Sequence, residues 1–215
     1  MKPTRTRLAS LSAAFAAALL LGGCSVLGGG KQNDPITIYS PQVSVPVDPS
    51  WPTVRWQLAI VDPSAPRVVD STRIAVRPVA GELQVYKRAG WAQPSSDMLE
   101  AVLLHGFEDS GRIAAVARAG TGIRQDYKLV TDVRRFESEY AGAATPSALI
   151  EVNAKLVHTV DQRIVASRTF LQREAAGSEE VDAVVAAFER GLAKLGGEVV
   201  GWTLVSGEAD ARTKR

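Results

Sequence analysis

The chain has a single cysteine, Cys24, so no disulfide can form within it and stability must come from a packed core. Histidine is nearly as scarce. His105 and His158 are the two, and neither has a second histidine or a free cysteine at ligand spacing, which argues against a zinc site. His105 lies between Leu104 and Phe107 in a helical run and His158 ends a strand, so both read as structural or surface residues. No G-x-S-x-G elbow, H-E-x-x-H pair or phosphate loop occurs. Gly120-Thr-Gly-Ile-Arg-Gln lacks the third glycine of a dinucleotide fingerprint and reads as a loop. The acid pair Glu179-Glu180 suits a helix start better than acid–base work. A long membrane-crossing run is missing too. The uncharged stretch Leu8 to Leu21 has 14 residues, roughly 21 Å as a helix at ~1.5 Å per residue, short of a ~30 Å hydrocarbon core. These absences leave no catalytic constellation, no cofactor and no metal to predict.

What is present begins at that short run. Lys2, Arg5 and Arg7 precede it, and Leu21-Gly22-Gly23 follows with small residues before Cys24. Basic start, apolar middle and small-residue end are the marks of a secretory signal over residues 1–23. The Leu-x-Gly-Cys ending resembles the lipobox of bacterial lipoproteins. That resemblance implies cleavage before Cys24 and a mature chain held by acyl chains on it. Each buried methylene adds about 0.8 kcal/mol, and stable anchoring takes more than one chain. The alternative is an ordinary cleaved signal followed by a small buried cysteine. Ser25, rather than Asp, follows the cysteine. By resemblance to the enterobacterial sorting rule, this favours the outer membrane.

Without the signal, 22 Lys and Arg face 23 Asp and Glu, a net charge of about −1. Such a domain has no electrostatic footprint for nucleic acid. Residues 24–35 read as a flexible tether around Gly28-Gly29-Gly30. Pro41, Pro46, Pro49 and Pro52 then keep the chain extended.

From residue 36 to 205 the pattern is one domain. Ile36–Tyr39, Arg55–Val61, Arg73–Val76 and Glu82–Tyr86 read as strands, the last two as a hairpin around Pro78 to Gly81. Met98, Leu99, Val102, Leu103 and Phe107 then fall at helical spacing after Ser95, Ser96 and Asp97, which can cap a helix. Strand patterns return at Ile113–Ala117 and Asp126–Val133, and the runs Ala148–His158 and Arg163–Leu171 pair as a hairpin. In the second of these Arg168 interrupts the apolar face. After Ser178, Val181, Val184, Val185, Phe188, Leu192, Leu195 and Val199 form one apolar helical stripe. Gly196 and Gly197 suggest an end or bend there, with Trp202 closing the helix and residues 206–215 disordered. The predicted fold is α+β: a mostly antiparallel sheet with two helices packed on one face. Trp91 and Trp202 are either core edges or interface anchors. Trp51 and Trp56 stand near the tether, where a partner or lipid is within reach.

Arg73-Ile-Ala-Val, Glu82-Leu-Gln-Val-Tyr with Trp91-Ala-Gln-Pro, Asp126-Tyr-Lys-Leu with Phe136, Arg168-Thr-Phe, and Ala183-Val-Val-Ala-Ala-Phe188 occur in that order. Over residues 36–203 this set is similar to the bacterial ABC-type transport auxiliary lipoproteins, the family that includes the lipoprotein of the paraquat-inducible Pqi system. Ser40 to Ser71 is more proline-rich than that family's start. The resemblance implies a non-enzymatic, outer-membrane component facing the periplasm. Its implied partners are an MCE-class periplasmic lipid-binding protein with its ABC permease and ATPase. Ring-like partners of that kind would favour a homo-oligomer. Two other classes stay open: a periplasmic lipid carrier with a pocket between sheet and helices, and an envelope hydrolase with a dispersed site.

Overall fold

In the computed structural model, residues 35–122 and 124–213 are described. The chain divides into two units, Met1–Pro35 and Ile36–Arg215, and the fold is that of the second. Cys24 and the signal and tether expected around it lie outside the described residues.

The sheet is organised on one long strand, β6 (Tyr127–Glu139). Tyr127, Leu129, Thr131 and Val133 alternate inward, and an irregularity between Val133 and Arg135 re-aims the strand so that Phe136 also faces the core. Along one edge β6 pairs antiparallel with β7 (Ser147–His158), and β7 pairs antiparallel with β8 (Ile164–Ala175). The other edge is shared. β2 (Val54–Ile60) pairs parallel with the start of β6, and β3 (Arg73–Arg77) pairs parallel with its end. Beyond β2 lies β5 (Ile113–Arg118), also parallel. Beyond β3 lie β4 (Gln84–Trp91), antiparallel, and β1 (Thr37–Tyr39), parallel to β4.

The fold is therefore α+β, with a sheet of mixed direction. The expectation of a mostly antiparallel sheet is corrected, since four of the seven pairings are parallel. Alternation of apolar residues reports which face of a strand is buried and says nothing of its partner's direction. Parallel neighbours need a crossover of a dozen or more residues. Here the long excursions between β2, β3, β5 and β6 supply it.

Helix α1 (Ser95–Ser110) buries Met98, Leu99, Val102, Leu103 and Phe107, the residues at helical spacing. Its start differs from the expected serine cap. Pro94 is the capping residue, and the serines are buried and turned elsewhere. Ser95 Oγ donates to the Val69 carbonyl at 3.0 Å, and Ser96 Oγ donates to Asp70 Oδ1 at 2.6 Å. Asp70 also accepts the Ser96 N–H, so the orphan donor of the first turn is satisfied from a distant loop. Gly111, at φ 60°, ends the helix in the left-handed conformation.

Helix α2 (Val181–Thr213) has 33 residues, about 50 Å at ~1.5 Å per residue. It does not end at Gly196 or Trp202, and residues 206–213, expected to be disordered, are helical. Tyr127 explains part of this. Its hydroxyl donates to Asp210 Oδ2 at 3.0 Å, and Arg163 also bonds Asp210, which fixes the last turns to the sheet. At the other end Phe188 stacks on Phe136 at 4.8 Å, and Trp91 stands edge-on to both. The helix thus runs antiparallel to β6 and spans its length. These rings, with Leu192, Leu195 and Val199 of the helix, pack into the space between sheet and helix.

The opposite face of the sheet is held by charge. Glu137 is 1 % exposed and accepts paired bonds from Arg77, at 2.9 and 3.1 Å, and from Arg135, at 2.9 and 2.7 Å. Glu139 bridges Arg135 and Arg173 at 2.8 and 2.7 Å. The network joins β3, β6 and β8. Burial pushes the Glu137 carboxyl up, but the hydrogen bonds and charges of Arg77 and Arg135 outweigh it and hold it below the usual range. Glu139 follows the same balance. A carboxylate with a depressed folded pKa contributes stability above its unfolded value and loses it as pH falls through the folded one. Glu137→Gln should therefore lower the thermal midpoint at pH 7 and flatten its fall below about pH 4. Calorimetry from pH 7 to pH 3 checks this; parallel curves for the two proteins would contradict it.

Candidate functional site

Helix α2 carries a second stripe. Lys194, Gly197, Glu198, Gly201, Trp202 and Val205 step by 3 and 1 along the flank of the helix that borders β8. This is the periodicity of one helix face. The stripe is the floor of a groove of about 750 Å³. One wall is Arg168 of β8, and the other is the segment Pro46 to Trp51.

That second wall is part of a strap, residues 40–53, which the prolines keep out of helix and sheet and which turns where the Trp51 N–H donates to the Asp48 carbonyl at 3.1 Å. Pro41, Val43 and Val45 point inward and Gln42 and Ser44 outward. The Tyr39 hydroxyl donates to Asp182 Oδ1 at 2.5 Å, and the Gln42 N–H donates to Glu189 at 3.0 Å. These bonds fix the start of the strap to the first turns of α2. Val45 then sits between the helices, against Gly106 of α1 and Gly196 of α2. A methyl group at Gly196 would lie 2.9 Å from both Val45 and Val102. At Gly201 it would overlap the Trp51 indole, and at Gly207 it would come within 2.5 Å of Trp56. The glycines that look like helix breakers are the places where the strap and β2 press against α2.

Contacts between α2 and β8 order the groove from end to end. Lys194 pairs with Glu174 at 2.6 Å, and Gln172 donates to Glu198 at 2.8 Å. Next along β8, Phe170 meets Trp202 edge-on at 5.6 Å. Arg168 follows, its guanidinium 4.8 Å over the Phe170 ring. Among the described residues Arg168 forms no ion pair. The groove can therefore hold an apolar body and one anionic group. It offers no base paired with a nucleophile.

Of the sequence-predicted sites, Cys24 lies outside the described residues. Trp91 is 2 % exposed inside the aromatic cluster, which makes it core. Trp202 is half-buried on the groove floor. Trp51 and Trp56 are buried against α2. His105 is exposed on α1, beside a smaller depression with Gln42, Gln93 and Met98. His158 Nδ1 bonds Asp161 at 2.8 Å and stands edge-on to Tyr127. No group of residues suited to a metal occurs among the described residues. No described helix is long and apolar enough to cross a membrane. Sequence reading missed the groove. Its signals were the outward stripe of α2 and Arg168, which breaks the apolar face of β8.

Residues 37–200 match the family model of the ABC-type transport auxiliary lipoprotein component. A crystal structure of a protein from Xanthomonas campestris is 56 % identical, with a TM-score of 0.79, and the match covers 82 % of this chain and 99 % of that one. A second crystal structure, of an uncharacterized protein, shares the fold at 15 % identity and a TM-score of 0.62, over 78 % of this chain and 97 % of that one. An uncharacterized protein of Bradyrhizobium diazoefficiens is 29 % identical over 188 residues, 87 % of this chain. The chain spans 50 % of that relative's length.

Two glycine substitutions separate the packing roles along α2. Gly201→Ala should lower the thermal midpoint by roughly 5 °C through overlap with Trp51. At Gly197 the nearest atom to an added methyl is 3.7 Å away. Gly197→Ala should raise the midpoint by about 2–4 °C through helix propensity. Thermal melts of the pair check this; a shift of the same sign in both would contradict it.

Proposed function

This chain belongs to the family of ABC-type transport auxiliary lipoprotein components, and from that premise we propose that it is a lipid-anchored, non-catalytic component of an MCE-linked intermembrane lipid transport system. In this reading the mature chain starts at Cys24, acylated and inserted in the outer membrane, with the domain facing the periplasm. The observation that carries the reading is the joint one: a family match over residues 37–200, preceded by Leu21-Gly22-Gly23-Cys24 and a glycine tether. The domain acts as an adaptor for the MCE-class protein, and its ATPase and permease partners supply the energy. Ring-shaped partners would suit several copies of the chain.

The carrier alternative needs an internal pocket. Trp91, Phe136 and Phe188 occupy the space between sheet and helices where such a pocket was expected. The adaptor reading is therefore preferred.

Crosslinking and pull-down from intact envelopes, comparing wild type with Cys24→Ala, tests the proposal. Wild type should capture an MCE-class protein and fractionate with the outer membrane, and Cys24→Ala should lose both. Unchanged fractionation of Cys24→Ala, or no capture of any transport component by wild type, would sink it.

A further inference from the structure

We infer that the groove along α2 binds one membrane phospholipid, with the phosphate on Arg168 and an acyl chain along Gly197, Gly201, Trp202 and Val205. This deepens the transport reading and rests on it for the choice of a phospholipid among phosphorylated amphiphiles.

Four observations converge. At about 750 Å³ the groove lies in the range of ligand sites, roughly 300–1,000 Å³. Its apolar residues are wet, with Val205 55 % exposed and Val47 42 %. Lys194 to Val205 spans eleven helical steps, roughly 17 Å at ~1.5 Å per residue, a length suited to one acyl chain.

Arg168 is the third observation. Lys194 is tied to Glu174, and Glu198 accepts from Gln172, so both are committed at the end of the groove remote from Arg168. Asp48, on the strap, accepts the Ser50 N–H. Among the described residues the Arg168 guanidinium contacts the Phe170 ring and forms no ion pair. A guanidinium can stack on a ring and still present its fork of donors to a phosphate.

The fourth observation separates a lipid from a peptide. The strap wall contains Pro46, which lacks an N–H, Ser50 and Trp51 direct their N–H groups to Asp48, and the floor is a helix whose backbone bonds internally. A bound peptide would leave its own backbone groups unpaired against these surfaces. An acyl chain has none to satisfy.

The test uses the full-length chain in detergent micelles with a phosphatidylethanolamine that carries a diazirine in one acyl chain. After irradiation, adducts are mapped by peptide mass spectrometry, where the Cys24 peptide is separate from the groove. Adducts should concentrate on residues 46–51 and 194–205. Gly197→Leu adds bulk to the floor at a position where a Cβ makes only ordinary contacts, the nearest at 3.7 Å, and Arg168→Glu removes the exposed cation. Each should cut groove labelling about tenfold, which is ~1.4 kcal/mol, with circular dichroism unchanged. Arg168→Lys should retain most of it. Labelling spread evenly over the surface, or undiminished in Gly197→Leu, would overturn the site. Equal labelling by a fatty-acid diazirine, unaffected by Arg168→Glu, would overturn the phosphate contact. Occupation of the groove in envelopes by a crosslinked protein segment, without lipid adducts in micelles, would overturn the ligand class. Groove labelling without capture of any transport component would defeat the transport reading alone. Capture with even labelling would defeat the groove alone.

Discussion

The contact of α2 with everything around it is the constraint on which the rest depends. One helix of 33 residues closes the sheet with one stripe, receives α1 and the strap with a second, and exposes a third. It can do so because several positions have no side chain. Each glycine inside a helix costs about 1 kcal/mol relative to alanine. In return Trp51 and Trp56 approach the backbone closely enough to be buried, and Val45 to be half-buried. A large aromatic ring that leaves water gains several kcal/mol, since it buries ~150–250 Å² at ~25 cal/mol per Å². The helix is held by tertiary contact where local propensity alone would let it fray.

The sheet answers the same constraint from below. β6 is long because α2 is long, and the two run antiparallel from Tyr127 opposite Gly207 to Phe136 opposite Phe188. β2 and β3 each cover part of the second edge of β6, so the sheet forks there. At the β3 end of this fork, arginines and glutamates on the far face join β3 to β6 and β8. The helix-facing side is closed by aromatic packing and the far side by Glu137 and its arginines. That division places the groove on the flank of α2, outside the core.

The sequence made some of this legible for stated reasons. The hairpin of β7 and β8 was visible because alternation and a short turn are both local signals, although the register shift between Leu156 and Val157 was not. The inward stripe from Val184 to Val199 was visible because a 3.6-residue period has one interpretation over so many turns. The parallel pairing of β2 with β6 was not visible, because nothing in Leu58-Ala59-Ile60 encodes the direction of a partner far along the chain. Ser95 and Ser96 misled because a hydroxyl that can cap a helix can equally bond a distant loop. Gly196 and Gly197 misled because propensity sees the missing side chain and not the Val45 that occupies its place. Cys24 remains a reading of sequence alone, and Trp202 acquired a setting only once Phe170 and Arg168 stood beside it.

A domain with one long helix, a strap across it and a groove beside that strap suits the adaptor role proposed for the chain. Its central physical claim is that α2 is one continuous helix held along its full length by the strap and the sheet. Hydrogen exchange on the full-length chain tests this most directly. Amides from 198 to 208 should exchange as slowly as those from 185 to 195, in one cooperative unit. Fast exchange beyond Gly196, with protection only before it, would contradict the account.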